Sequence, residues 1–296
     1  MTNRAGLCRN VQAALLMQRP AWKKEAKQMS TLTVPGAQVF YKVEGDGALL
    51  ILIPGASGTG ESFRPLSHAL SAWYRVVTYD RRGFSQSRLD GPQEYEQRLE
   101  TDADDVRRLI KSLTSQPAIV FGNSSGALVA LEVLTRYPEH IRTVVAHEPP
   151  AVKLLPDATK WLALFDGVYA TFRAEGIPQA MDQFGSLTLG SAGRQVLEHV
   201  RREHPSEANT RYWLEHELRQ YPRVELDLDA LAAHARQLVL VGGRDSHNQM
   251  TYQPGKVLAE RLGLTLLDVP GGHLGFLDTP AEFATGILNA LGSESQ

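Results

Sequence analysis

Short runs of apolar, β-branched residues recur along this chain, and stretches of helical period fill the intervals between them. ALLILIPG (48–55), YRVVTYD (74–80), PAIVFGN (117–123), TVVAHEP (143–149), QLVLVGG (237–243) and LTLLDVPG (264–271) are the strand candidates. Their interiors hold few polar residues, as expected of parallel strands covered on both faces. DADDVRRLIKSL (102–113), SGALVALEVLTRY (125–137) and AEFATGILNAL (281–291) place apolar residues at helical spacing. Repeated strand–helix units predict an α/β fold with a doubly wound, mostly parallel sheet. In front of them, AQVFYKVEGDGALLILIP predicts an antiparallel pair turned at Gly45-Asp46-Gly47.

One interval breaks the rhythm. From about 151 to 226 there is no convincing strand, only helical patterns such as ATKWLALFDGVYATFRAEG, SAGRQVLEHVRREH and NTRYWLEHELRQY. Roughly seventy residues between two sheet strands exceed an ordinary connection. They predict a helical cap inserted over the carboxyl end of the sheet, where open α/β sheets bind ligands. The expected organisation is therefore an N-terminal extension (1–30), a core (31–150 and 227–296) and a cap (151–226). The extension has its own composition: Arg4, Arg9, Arg19, Lys23, Lys24 and Lys27 face a single acid, Glu25. Its apolar run AALLM is too short for a secretory core or a membrane span. Such a leader reads as an extension outside a fold that starts near Met29, with a cytoplasmic location; the alternative is an organellar targeting segment.

Composition narrows the function. With 296 residues, 43% of them hydrophobic, the chain can bury a large core. Its 31 basic and 33 acidic residues nearly cancel, so no global field draws it to nucleic acid or anionic membrane. The one cysteine, Cys8, excludes a disulfide framework or a cysteine-based zinc site, and the nine histidines show no metal-ligand spacing. A small-molecule substrate and chemistry without metal or organic cofactor are the expectation; oligomeric state is not readable.

The chemistry is concentrated in VFGNSSGALVALEVL (120–134). Gly122-Asn123-Ser124-Ser125-Gly126 matches G-x-S-x-G between a predicted strand and a predicted helix, the context in which this motif holds an exposed nucleophile on a strained turn. A serine in such a place can also be a simple helix cap. What tips the balance is the presence of partners, because a nucleophilic serine needs a base and the base an orienting acid. Asp245 in VLVGGRDSHN and His273 in DVPGGHLGFLDTP each follow a predicted strand, so all three lie at the same end of the sheet. Ser124, Asp245 and His273 are the expected nucleophile, acid and base. Glu148 in AHEPP also ends a predicted strand and is the alternative acid. Pro149 and Pro150 give it a competing role as a loop closure.

With IPGASGTG (53–60), YDRRGFSQS (79–87), the serine turn, LVLVGGRDS (238–246) and PGGHLGFLDTPAEF (270–283) in this order, the chain resembles the α/β-hydrolases, in their lidded esterase, perhydrolase and C–C-hydrolase-like branch. The resemblance spans roughly residues 31–291. It implies an oxyanion hole made by the backbone amides of Ala56 and Ser125, and hydrolysis of an ester or lactone through an acyl-enzyme. Cofactor-free perhydrolase, oxygenase, C–C hydrolase or lyase chemistry is the alternative on the same scaffold, and a ligand receptor without turnover is the alternative outside enzymes. Two positions depart from the family pattern: Pro54 stands where histidine is common, and Asn123 precedes the serine where histidine or tyrosine is frequent. In the cap, Trp213, His216 and Glu217 share one predicted helix face. All three are candidates for the pocket ceiling, Trp213 and His216 first, although such a face is more often plain helix packing.

Overall fold

The computed structural model describes residues 28–203 and 206–292. Nine strands form one sheet: β1 (Gln28–Val34), β2 (Ala37–Glu44), β3 (Leu49–Ile53), β4 (Arg75–Tyr79), β5 (Arg88–Leu89), β6 (Ala118–Asn123), β7 (Ile141–His147), β8 (Leu238–Gly243) and β9 (Leu266–Val269). Their order is β1-β2-β4-β3-β6-β7-β8-β9, with β5 paired to β2. From β4 to β9 every neighbour is parallel. The sheet is doubly wound and mostly parallel, with an inserted helical cap, as the pattern of apolar runs requires.

β3 shows why its residues belong at the centre. Leu49, Ile51 and Ile53 enter one apolar cluster while Leu50 and Leu52 enter the other, so successive side chains bury on opposite faces. Helices α2 (Arg98–Leu113) and α3 (Ser125–Arg136) help to cover the first face, and α1 (Arg64–Leu70) with α11 (Pro280–Gly292) the second. Each fully buried leucine or isoleucine contributes roughly 1.5–3 kcal/mol of transfer free energy.

The expected front hairpin does not form. β2 pairs antiparallel with β1 and β4, and β4 separates it from β3. The burial pattern explains the outcome: β2 alternates buried with partly exposed positions, which suits the rim of the sheet, whereas all five residues of β3 are buried. Gly45 and Gly47 do turn the chain at positive φ, but toward the far side of β4 rather than into a two-strand ribbon. Residues 28–30, expected outside the fold, pair with β2 in β1. The rest of the N-terminal extension lies outside the described residues.

Between β7 and β8 run α4 (Ala158–Glu175), α5 (Ile177–Thr188), α6 (Ser191–Glu203) and α7 (Glu207–His216), followed by the short α8 (Leu228–Ala233). Gly176 at φ 97° ends α4, and Pro178 sits in the first turn of α5, where its missing N–H costs nothing. Phe165, Phe172, Met181, Trp213 and Leu214 form an apolar cluster that also takes in Phe84 and Met250 from loops of the sheet domain. α9 (Gln253–Leu262) and the single turn α10 (Gly275–Asp278) flank β9. No helix among the described residues is long and apolar enough to cross a membrane.

Candidate active site

β6 delivers Ser124. It stands between strand and helix α3 at φ 55°, ψ −126°, a region that costs a non-glycine residue of order 1–3 kcal/mol. The neighbouring glycines are required by contact. A Cβ on Gly122 would sit 2.2 Å from the Gly126 oxygen, and one on Gly126 would sit 2.2 Å from the Ile53 oxygen. The turn therefore closes only with hydrogen at both places, and β3 presses against it from the side.

β7 ends in the adjacent position, and there the expected acid changes. Glu148 is the second strained residue of the site, at φ 49°, and its side chain is 1% exposed. Oε1 accepts the Gly243 amide at 2.8 Å, and Oε2 lies 2.6 Å from His273 Nδ1. Asp245, by contrast, is exposed in a 3-10 turn after β8. Its backbone amide donates to Gly271 and its carbonyl accepts from Gln249, while the Nδ1 of His273 is held by Glu148. Glu148, and not the expected Asp245, is the carboxylate that meets His273. The physical reason is that β8 reaches the site with backbone: the Gly243 amide locks the carboxylate, and a Cβ at Gly243 would collide with Gly272 at 2.7 Å. The next two residues, Arg244 and Asp245, are exposed.

Burial pulls the Glu148 carboxyl up, but the hydrogen bond with His273 and the neighbouring histidines outweigh it and bring its pKa to about 2. It is thus an ionised acceptor, which places the His273 proton on Nδ1 and leaves Nε2 free to accept. His273 follows β9 and is 9% exposed. Its loop is held by Asn123, whose Nδ2 donates to the His273 carbonyl at 3.3 Å and also lies 2.9 Å from His147 Nδ1. The departure at Asn123 thus has a structural role, and His147 is a site neighbour that periodicity alone does not reveal. The hint in sequence is a polar residue at the last position of each of two strands, Asn123 after AIVFG and His147 after VVA.

His147 is fully buried and stacks on His273 with ring centroids 6.0 Å apart. Its Nε2 has no hydrogen-bond partner among the described residues and lies 4.0 Å from Glu148 Oε1. Burial lowers its pKa to about 4, so it is neutral in the fold and protonates in the unfolded chain near pH 6.5. Between those values the unfolded chain binds the extra proton, and stability falls as pH drops from about 6.5 to 4, by roughly 3 kcal/mol. Glu148 adds loss only below its unfolded pKa, from about 4.5 down to 2. Thermal midpoints measured between pH 7.5 and 4.5 should show this slope, and His147→Gln should flatten it. An equal slope in the variant would clear His147.

The loop after β3 completes the wall. A Cβ on Gly55 would meet the Ser124 Cβ at 3.1 Å, so this loop lies directly against the serine. The amide of Ala56 finds no backbone acceptor among the described residues, and that of Ser125 opens helix α3. Ser124, Ser125, Ala56 and His273 all line one cavity of about 1300 Å³ under the cap. Trp213 lines it too, packed edge-on against Phe184 at 4.9 Å. His216 does not. It stacks on Tyr95 at 3.9 Å, away from the cavity, and that contact corrects its placement in the pocket ceiling. Glu217 caps the end of α7, its amide donating to the Trp213 carbonyl, and it lines the cavity as well.

The chain is similar to known proteins in sequence and in fold. A family model described as alpha/beta hydrolase fold matches residues 48–280. The chain is 31% identical over 272 residues to the uncharacterized hydrolase YraK of Bacillus subtilis (strain 168), covering 90% of this chain and 97% of that protein. It is 27% identical over 264 residues to a zearalenone hydrolase of Bionectria ochroleuca, covering 86% and 94%. Among solved structures, a thermophilic esterase from Thermogutta terrifontis superposes with TM-score 0.71 at 18% identity, covering 92% of this chain and 100% of that one.

Proposed function

Since this chain belongs to the α/β-hydrolase family and is a hydrolase, we propose that it cleaves a bulky, uncharged carboxylic ester or lactone through a Ser124–His273–Glu148 triad. Ser124 Oγ attacks the carbonyl carbon as His273 Nε2 takes its proton. Glu148 stabilises the imidazolium that results, and the amides of Ala56 and Ser125 hold the oxyanion. Collapse of the tetrahedral intermediate expels the alkoxide, which takes the proton back from His273. From a lactone that hydroxyl stays tethered to the acyl group. Water, deprotonated by His273, then frees Ser124.

The observation that carries this reading is the 2.6 Å contact between His273 Nδ1 and a buried carboxylate, beside a serine held at positive φ in the same cavity. Support for a bulky, uncharged substrate comes from the lining. Phe165, Met181, Phe184, Leu189, Trp213 and Met250 supply an apolar interior, whereas Glu61, Arg64, His68 and Asp278 stand exposed at the mouth. The cavity exceeds the roughly 300–1000 Å³ usual for small-molecule sites. The helices between 151 and 226 act as its lid. The relative that is named a zearalenone hydrolase makes that compound the first to assay.

Nitrophenyl esters of graded acyl length, lactones including zearalenone, and charged analogues test the proposal. We expect kcat/KM to rise at least about tenfold from the acetyl ester to a bulky apolar ester or lactone, in line with roughly 1–3 kcal/mol per added methylene contact. Charged analogues should be poor. Absence of turnover on every ester and lactone would overturn it.

A further inference from the structure

A balanced ion cluster lies buried between the cap and the loop after β3. Arg81 is fully buried; Nη1 donates to Asp102 of α2 at 2.9 Å, and Nη2 donates to Glu217 at 2.5 Å. Glu217, which follows the last helix of the cap, also accepts from Arg98 Nε at 2.8 Å. Tyr221 donates to Asp102 at 2.6 Å. Two guanidinium groups and two carboxylates thus neutralise one another out of contact with water. Arg81 and Arg82 follow Asp80 just beyond the end of β4. Arg82 pairs instead with Asp105, and Asp80 is taken up by Thr59 and the Gly60 amide.

Arg81 has a third bond. Nη2 also donates to the carbonyl of Gly55 at 3.2 Å, and the Gly58 amide donates to the same oxygen at 2.9 Å. The Gly55–Ala56 peptide is trans, so its N–H points opposite to its carbonyl. Ala56 lines the cavity and the buried Arg81 does not. A carbonyl drawn toward Arg81 therefore directs the Ala56 amide to the cavity side. A second cap residue reaches the same loop: Asn209 Nδ2 donates to the Ser57 carbonyl at 3.1 Å. Burying four charges is poorly justified by stability, since apolar replacements of such clusters are often neutral or stabilising. Directing a peptide dipole needs the guanidinium itself.

We infer that Arg81, held in place by Glu217 of the cap, is a positioning residue that sets the direction of the Ala56 amide, so that the oxyanion site is assembled only while the cap is seated. This rests on the proposed role of the Ala56 amide as an oxyanion donor. The cap then contributes to the chemical step from outside contact with the reacting atoms.

Arg81→Met and Glu217→Gln test it, with Tyr95→Ala as a control that removes a cap contact made at His216 and not at the loop after β3. Each is assayed on nitrophenyl acetate and titrated with two inhibitors of one shape. A trifluoromethyl ketone captures Ser124 as a tetrahedral oxyanion; the matching secondary alcohol binds only as a ground-state mimic. For Arg81→Met we expect kcat and ketone affinity to fall together by about 10²–10³, the loss seen on removing one oxyanion donor. KM and alcohol affinity should stay within about threefold. Glu217→Gln keeps the side-chain shape and should show a smaller loss of the same kind, which decides the question should Arg81→Met fail to fold. Tyr95→Ala should leave the ratio of ketone to alcohol affinity unchanged. Equal weakening of ketone and alcohol, or an unchanged kcat, would overturn the positioning role alone. A wild-type enzyme that forms no phosphonate adduct on Ser124 would overturn the catalytic reading beneath it.

Discussion

Glu148→Gln should lower kcat by about 10⁴-fold while the protein remains folded. The Gly243 amide bonds Oε1 of Glu148, so in the variant it selects the amide oxygen for that place. The new NH2 group is then left facing His273 Nδ1, where Oε2 now stands at 2.6 Å. A donor there forces Nδ1 to accept and moves the imidazole proton to Nε2, the tautomer that cannot take a proton from Ser124. Asp245→Asn is the matched control. Its side chain is exposed after β8, and the substitution should change kcat by no more than about twofold, as is usual for surface positions. Steady-state kinetics of both variants, with circular dichroism to confirm folding, decide between the two acids. A large loss in Asp245→Asn with Glu148→Gln near wild type would return the acid to β8.

Ser124→Ala should cost about 10⁶-fold in kcat, leaving only what binding and the oxyanion donors supply. Alanine retains the Cβ that the turn already carries at φ 55°, so the elbow has no new reason to collapse. Ser125→Ala should behave oppositely. Ser125 enters the proposed chemistry through its amide, which alanine preserves, and its hydroxyl is buried without a partner among the described residues. Removing that hydroxyl should leave kcat within a few-fold and raise stability by about 1 kcal/mol, the lower end of the penalty for an unpaired buried group. Mass spectrometry after phosphonate treatment should find the adduct on Ser124 and none on Ser125. An adduct on Ser125, or an active enzyme that forms no adduct, would sink the assignment.

Much of the fold was open to reading because parallel strands buried on both faces must be apolar along their whole length. LLILI, AIVF and LVLV announce themselves for that reason. The serine turn was equally legible, since its two glycines are imposed by contacts within the turn and with one neighbouring strand. The pairing of β2 was harder. Gly45-Asp46-Gly47 is a good local turn, and local geometry alone does not say that β4 will come between the strands it joins.

The acid shows most clearly where reading along the chain ends. Asp245 and Glu148 each follow a strand that ends at the same edge of the sheet, and the GGRD setting and a loop next to that of His273 favour Asp245. Choosing between them depends on a backbone amide 95 residues away, because Gly243 holds the Glu148 carboxylate against His273. Arg81, Glu217 and the Gly55 carbonyl form a second such case, joined by one guanidinium that reaches 26 residues back and 136 forward. Strands, helices and the serine turn follow from residue spacing because their forces act over a few positions. A buried charge finds its partner only after the sheet has closed and the cap has landed, when the low dielectric makes any other arrangement costly.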